Sequence, residues 1–482
     1  MKRNQVQQPP QFKPLLIGVV CGLYPLLFYY SNNYSAINSW EHFGFFTLFF
    51  IGISVAAFYA LKGVLHFIPT LRKYQNELIF IGIVTVTATL MSQAMYLTLK
   101  KKMLAVLLVI TAIVAWRIGK QYYKVLVLIG IMAVIPLFKN LIHIYEHHKK
   151  MEWAILPDDI MNVKFKKTPN VYLIQPDGYV SKNRMESEPY NFQNPFYDWL
   201  TERGFKRYDD FRSNYPASLT SNSSLLSMKQ HKYGDMLFPS IEMPNARDFI
   251  SGKNSVTEIF KNNGYHTFFI VKDEYFQQNR PEPGFDYYNI DFDEIPYFSN
   301  DNNVKKDVLA DIKAAMDTVK TEKPRFYFIE KLLPHHIHFS ASKEEERETY
   351  LEKIVQVNDW LKETVSYIEE NDSDAIIIIL ADHGGWVDIG SYDEMFTTTD
   401  ANQLHSIFST LAAIRWNGNL TEEMDSELRS NVNLFRILFA NLSEDASYLK
   451  YLEDNSSYNL KSGSFRNSVQ AVLDDTGNAI AK

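Results

Sequence analysis

Five branched aliphatic residues, Ile376 to Leu380, run through Ala381 into Asp382-His383-Gly384-Gly385, so an apolar stretch closes on a carboxylate and an imidazole. Adjacent oxygen and nitrogen donors of this kind suit a divalent metal. The setting reads as a buried central strand handing polar groups to the rim of a sheet, where open α/β sheets bind ligands. A helix-capping Asp beside a surface His gives the same pattern, so the pair needs company. Asn170–Tyr179, NVYLIQPDGY, is a second apolar strand ending in an acid, Asp177. A strand before an Asp-Gly turn is common by itself. Two strands that each end in a ligand can nevertheless bring Asp177, Asp382 and His383 together at one sheet edge.

Two further stretches carry reactive groups. In Ser213–Met228, SNYPASLTSNSSLLSM, Pro216 breaks the chain and a short helix can begin at Ser218. Free N–H groups at a helix start stabilise an alkoxide and an incoming phosphate or sulfate, although Ser and Thr also abound there as caps. Ser218, Thr220, Ser221, Ser223 and Ser224 all compete as the nucleophile. Phe326–Phe339, FYFIEKLLPHHIHF, is a strand followed by Pro334 and by His335, His336 and His338. Such a cluster can bind a metal, protonate a leaving group or contact an anion; at least one of the three fits an ordinary loop histidine. His405, alone ahead of a strand, reads as structural.

The elements that must position these groups lie in the second two-thirds of a 482-residue chain, too long for one core. Strands are expected at Asn170–Gln175, His266–Val271, Arg325–Glu330, Ala375–Ala381 and Thr410–Trp416. Helices are expected at Pro195–Arg203, Ser255–Asn262, Val304–Val319, Lys343–Glu370 and Val432–Asn441. This alternation predicts an α/β domain over 169–482, a largely parallel sheet with helices on both faces. A net charge of -7 gives no reason to expect a nucleic-acid partner. The single cysteine, Cys21, permits no disulfide framework.

Residues 14 to 142 are strongly apolar, a division that the mean hydropathy of -0.21 hides. The spans Pro14–Tyr30, Phe43–Phe67, Leu78–Leu99, Met103–Trp116 and Tyr122–Phe138 predict a membrane domain over 1–142 with about five helices, a crossing needing roughly 20 residues. Met103–Trp116 is short enough to be interfacial or re-entrant. The basic flank of the first span, with no clean cleavage site, reads as an uncleaved anchor. Five spans with the N-terminus inside put the following domain outside, at a cell inner or plasma membrane. Lys2, Arg3, Lys13, Arg72, Lys73, Arg117 and Lys120 then lie inside, as the positive-inside rule asks, and Lys100, Lys101 and Lys102 break it. Four spans and a cytosolic domain is the competing arrangement. Residues 143–168, ending in Lys164, Lys166 and Lys167, read as a juxtamembrane connector.

With NVYLIQPDGY, the Ser218 segment, LLPHH, LADHGG and the closing VNLFRILFANL of 432–442 in order, the soluble part over about 168–445 resembles the alkaline phosphatase/sulfatase superfamily. It is similar above all to the membrane-anchored lipoteichoic acid synthases, phosphoglycerol transferases and phosphoethanolamine transferases. The resemblance implies an alkaline-phosphatase-like three-layer α/β/α domain after a transmembrane bundle. It implies Asp177, Asp382, His383 and Ser218 as ligands of one divalent ion (Mn, Zn, Mg or Ca), and Ser218 as nucleophile with Thr220 as runner-up. His335 would be catalytic, with His335, His336 and Thr220 near the substrate. No Asp-x-x-x-His pair for a second zinc is found, which implies one metal rather than two. The Cys/Ser-x-Pro-Ser-Arg context of a formylglycine sulfatase is missing, since Ser218-Leu219-Thr220-Ser221-Asn222 has neither Pro nor Arg, so sulfate ester hydrolysis is disfavoured. The implied partners are the membrane, a phospholipid donor and a glycan acceptor. The implied reaction is phospho-alcohol transfer through a phosphoseryl intermediate, with a water-using hydrolase or a non-catalytic member of the fold as alternatives.

Overall fold

The computed structural model describes residues 12–235, 243, 245–299, 303–319, 321–336, 342–418, 420–460 and 469–480. The chain divides into two compact units, Met1–His148 and Lys149–Lys482.

The first unit is helical. Helix α1 (Pro14–Asn33) opens with Pro at its first turn, where the missing N–H costs nothing. A π-helical turn, Leu48–Gly52, joins α2 (Trp40–Thr47) to α3 (Ile53–Phe67) in one continuous run. Helix α4 (Gln75–Tyr96) stops at Leu97 in the left-handed conformation, and α5 is Lys101–Ile118. A 3-10 turn, Gly119–Gln121, then leads into α6 (Tyr122–Met132) and α7 (Val134–His148). Among the described residues, four helical runs are long and apolar enough to cross a membrane: Pro14–Ala36, Trp40–Phe67, Pro69–Tyr96 and Lys101–Ala154. About five were expected, and the count differs because the last two expected spans fuse into one 54-residue run. Straight, that run would reach about 80 Å, far beyond a bilayer, but it turns at Gly119. A Cβ on Gly119 would stand 2.8 Å from Glu77 Cα, so the end of α5 sits against the start of α4. The end of α7 instead meets the end of α1, where the His143 ring stacks on Tyr34 with centres 5.4 Å apart.

Glycine sets the closest approach in this unit. A Cβ at Gly18 would lie 2.5 Å from Val55 Cα, and one at Gly22 would lie 2.4 Å from Phe50 O. The pair, four apart on one face of α1, lets the α2–α3 run press against it as small residues do between membrane helices. The outer surface is apolar, with Phe67 82%, Ile135 79% and Trp116 76% exposed.

Among the described residues of the second unit, nine strands form two sheets. They are β1 (Val171–Asp177), β2 (Lys206–Arg207), β3 (His266–Ile270), β4 (Tyr287–Tyr288), β5 (Arg325–Pro334), β6 (Ile376–Leu380), β7 (Ala412–Arg415), β8 (Ser457–Leu460) and β9 (Val469–Leu473). The seven-stranded sheet has the order β2-β7-β6-β1-β5-β3-β4, and β8 pairs with β9 alone. β6, β1, β5, β3 and β4 run parallel, and β7 is antiparallel to both its neighbours, β6 and β2. Both faces are covered, which is why β6 is an unbroken aliphatic run rather than an alternating one. Val171, Leu173, Phe326, Phe328, Ile376 and Ile378 face the Ser255–Asn262 and Leu434–Ser443 helices. Tyr172, Ile174, Tyr327, Ile329, Ile377 and Ile379 face Val308–Thr318 and the 29-residue Lys343–Asn371 helix. The expected three-layer α/β/α arrangement with a largely parallel sheet is the one observed. Ile160 and Val163, in the expected connector, are buried in the first of these cores.

Candidate metal and phosphoryl-transfer site

Strand order explains why distant residues meet. β1 lies between β6 and β5, so Asp177 at its carboxyl end has Asp382 and His383 on one side and His335 on the other. Ligand atoms of Asp177, Asp382 and His383 all lie within 4.8 Å of one another, and all three residues are buried. His383 Nε2 is 3.4 Å from Asp177 Oδ1 and 3.5 Å from Asp382 Oδ2. The other ring nitrogen, Nδ1, donates to Gly384 O at 2.8 Å, which turns Nε2 toward the two carboxylates.

Ser218 is the first residue of a helix, Ser218–Ser227, whose N-cap is Ala217, so no side chain caps it. Its Oγ donates to Asp177 Oδ1 at 3.3 Å and lies 3.3 Å from His383 Nε2. The serine therefore stands inside the helix at its open end rather than capping it. The helix is tied to the β6 edge by Ser221 Oγ, which donates to Asp382 O at 2.6 Å, and Asn431 Nδ2 donates to the same carbonyl at 3.1 Å. Gly384 lets the turn after β6 press against the Ala401–Phe408 helix, since a Cβ there would fall 2.1 Å from Ser406 O.

His335 donates through Nδ1 to Asp177 Oδ2 at 2.5 Å, and its N–H donates to Asp177 O at 2.9 Å. Its backbone is left-handed, φ +59°, as is that of Trp386, also φ +59°. Each such residue costs roughly 1–2 kcal/mol, a strain that collects at functional sites. Trp386 uses it to lay its indole over His383, ring centres 4.7 Å apart, and over His336 at 4.3 Å. His336 thus reaches the site through ring stacking, and His338 lies outside the described residues. Thr220 stands apart. It is fully buried and its Oγ1 donates to Ala217 O at 3.0 Å, so its hydroxyl is spent inside its own turn.

The charges compete. Burial pushes Asp177 upward, but His335 and His383 outweigh it and hold the carboxyl well below the usual range. Burial raises Asp382 to about 6, a shift that His383 opposes and Asp177 adds to. Burial lowers His383, yet Asp382 and Asp177 lift it to about 9. A third acid, Glu330, is fully buried, and burial followed by the charges of Asp273 and Asp177 raises it well above the ordinary value. Negative charge at this edge calls for a cation.

Sequence reasoning missed four supports: Trp386, Asn431, Glu330 and the buried Gln175–Asn222 pair, whose amides bond at 2.8 Å. The Asp-His-Gly-Gly-Trp run was visible, but nothing in it signals a left-handed turn that folds the indole back.

A family model described as Sulfatase matches residues 169–441. No curated protein matches the chain. Among solved structures, the chain is similar to the C-terminal periplasmic domain of EcEptC from Escherichia coli, at 13% identity over 64% of this chain and 95% of that one, TM-score 0.45. The same domain in complex with Zn gives 12% identity, 65% and 95% coverage and TM-score 0.45. The soluble domain of lipooligosaccharide phosphoethanolamine transferase A from Neisseria meningitidis gives 11% identity, 59% and 92% coverage and TM-score 0.40.

Proposed function

The chain belongs to the sulfatase family of the alkaline phosphatase/sulfatase superfamily, and from that premise we propose that it is a membrane-anchored phosphotransferase. It moves a phospho-alcohol head group, of phosphoglycerol or phosphoethanolamine type, from a lipid donor to a cell-envelope glycan. The observation that carries this reading is the Ser218 hydroxyl, 3.3 Å from both Asp177 Oδ1 and His383 Nε2 at an uncapped helix start.

The donor set fits a single divalent ion. Two buried carboxylates and an imidazole whose second nitrogen is already bonded converge on one point beside a hydroxyl, and the imidazole favours zinc or manganese over magnesium or calcium. When bound, such an ion supplies charge that lowers the pKa of the serine hydroxyl and offsets charge on the transferring group. Ser218 Oγ, its proton released to solvent, attacks phosphorus in line, its O–P bond forming as the bond to the leaving alcohol breaks. The open N–H groups of the first helical turn stabilise the phosphoryl oxygens. His335, oriented by Asp177 through Nδ1, uses Nε2 to hold a non-bridging oxygen or to give the leaving oxygen its proton. An acceptor hydroxyl then displaces Ser218 and takes the phospho-alcohol.

Five crossings would put the domain on the extracytoplasmic side, and the contacts of α5 with the start of α4 and of α7 with the end of α1 support an odd number of passes. On that side a phospholipid head group is the accessible donor.

The test follows a labelled head group from lipid to an added glycan with full-length protein in lipid. Ser218→Ala should lower turnover at least about a thousandfold while the protein stays folded and still binds metal. Full activity in that variant removes Ser218 from the mechanism. Release of free phospho-alcohol without transfer would make the enzyme a phosphodiesterase.

A further inference from the structure

Beside the carboxyl ends of β3 and β5 a cavity of about 580 Å3 opens, lined by Lys272, Lys305, Lys306, Lys313, Lys331 and Trp360 among others. Five lysines around one cavity stand out in a chain whose net charge is -7. Three of them are engaged: Lys272 Nζ donates to Lys306 O at 2.6 Å, Lys306 pairs with Glu294 at 2.7 Å, and Lys313 pairs with Glu363 at 3.3 Å.

The side chains of Lys305 and Lys331 have no hydrogen bond or ion pair among the described residues, although both backbones are paired. The Lys331 ammonium stands 5.2 Å from the centre of the Trp360 ring. Burial, with the charge of Lys272 adding to it, lowers its pKa, and the charges of Asp307 and Glu330 only partly oppose the shift. A half-buried cation with no directly paired anion is a costly arrangement. Trp360 adds a second unmet demand, since its indole N–H is buried and has no hydrogen-bond partner. Among the described residues the wall carries two acids: Glu363 pairs with Lys313, and Asp307 caps its own helix at Ala310 while its charge also reaches Lys331. Five ammonium groups therefore line the space against two carboxylates.

We propose that this cavity is a second anion site, separate from the Asp177–Asp382–His383 cluster, that takes a phosphate ester carried on a sugar. Ammonium groups recognise phosphate oxygens. The volume favours the sugar ester over the bare ion, because organic ligands occupy pockets of roughly 300–1,000 Å3 and inorganic phosphate fills only a small part of that.

The site is close to the first without sharing it. Lys331 pairs in register with Pro176, the neighbour of Asp177. Lys353, whose ammonium feels the Asp177 charge, is on the same helix as Trp360, seven residues or about 10 Å earlier. A phosphorylated sugar held here is within reach of the catalytic edge, whichever reaction runs there, so the inference does not rest on the phosphotransfer reading.

Calorimetric titration of the full chain in detergent, with metal chelated, tests it. The probes are glucosamine 6-phosphate, glucosamine and inorganic phosphate. The sugar phosphate should bind, and neither glucosamine nor inorganic phosphate should match it. Lys331→Met should weaken binding at least about tenfold. Lys305→Glu, at an exposed position where folding is not at risk, should weaken it about threefold or more by reversing one charge. Asp382→Asn should leave the affinity unchanged. Binding that survives both lysine changes, or that is lost in Asp382→Asn, overturns the proposal. Equal affinity for inorganic phosphate overturns the sugar-ester assignment.

Discussion

The two units bury apolar residues by opposite rules. In the sheet unit the aliphatic side chains point inward, and Ile376 to Leu380 is 1% exposed or less throughout. In the helical unit large apolar groups such as Phe67 and Ile135 point outward, and contact between helices rests on Gly18 and Gly22. The contrast follows from the solvent. Against water a domain gains by hiding apolar surface, whereas in lipid that gain disappears and close backbone approach takes over. Chemistry then belongs to the water-facing unit, because only there can a sheet edge gather buried carboxylates and still admit a polar substrate.

The sharpest way to break that division is at the sheet edge. Asp382→Asn keeps the shape of the side chain and removes one of two carboxylate charges from the cluster. Turnover should fall at least about a thousandfold and metal affinity by roughly 10–100-fold or more, with the unfolding of both units unchanged. Isotope-labelled head-group transfer and metal titration measure the two effects. Retained metal affinity would show that Asp177 and His383 hold the ion without Asp382.

The converse substitution belongs to the bundle. Gly22→Leu forces a side chain against Phe50 O, where even a Cβ would be at 2.4 Å. Over-packing of this kind costs about 3 kcal/mol. Thermal unfolding in detergent should show the helical unit melting earlier, while cleavage of a soluble aryl phosphodiester is unaffected. An equal loss of that soluble activity would show that the two units do not fold independently.

Much of this was legible in the sequence, for identifiable reasons. The five long strands and the helices between them are strongly patterned runs, and each expected segment overlaps an observed one. β2 and β4 have two residues each and cannot show a pattern, and the β8–β9 hairpin lies beyond the family-like stretch. Asp177, Asp382 and His383 could be grouped because ligands gather at the carboxyl ends of parallel strands. Ser218 could be separated from Thr220 only by resemblance, since helical spacing leaves several hydroxyls equivalent until the neighbouring carboxylate is located. The lysine cavity was invisible, as its walls come from four distant segments. Fusion of the last two spans was hidden too, because a 3-10 turn at Gly119–Gln121 barely interrupts hydropathy.

A smaller effect sharpens the comparison within the sheet unit by asking what holds the Ser218 helix. His231 is fully buried, stacks on Tyr215 with centres 4.0 Å apart, and has both nitrogens engaged. Nε2 donates to Thr220 O at 2.8 Å, and Nδ1 accepts from Tyr233 N at 2.9 Å. Protonating Nδ1 would break the second bond, and burial lowers the pKa from 6.5 to about 4 despite the Thr220 hydrogen bond. Between those values the unfolded chain takes up a proton that the folded one refuses, so stability falls as pH drops through 6.5 and levels off below about 4. From pH 7 to pH 5 the loss from this residue is about 2 kcal/mol. His231→Gln, which cannot titrate, should be less stable at pH 7 yet lose less on acidification, as read from melting curves across that range. If its melting temperature follows the same slope as the unmodified protein, the acid sensitivity lies in the carboxylate edge and not in His231.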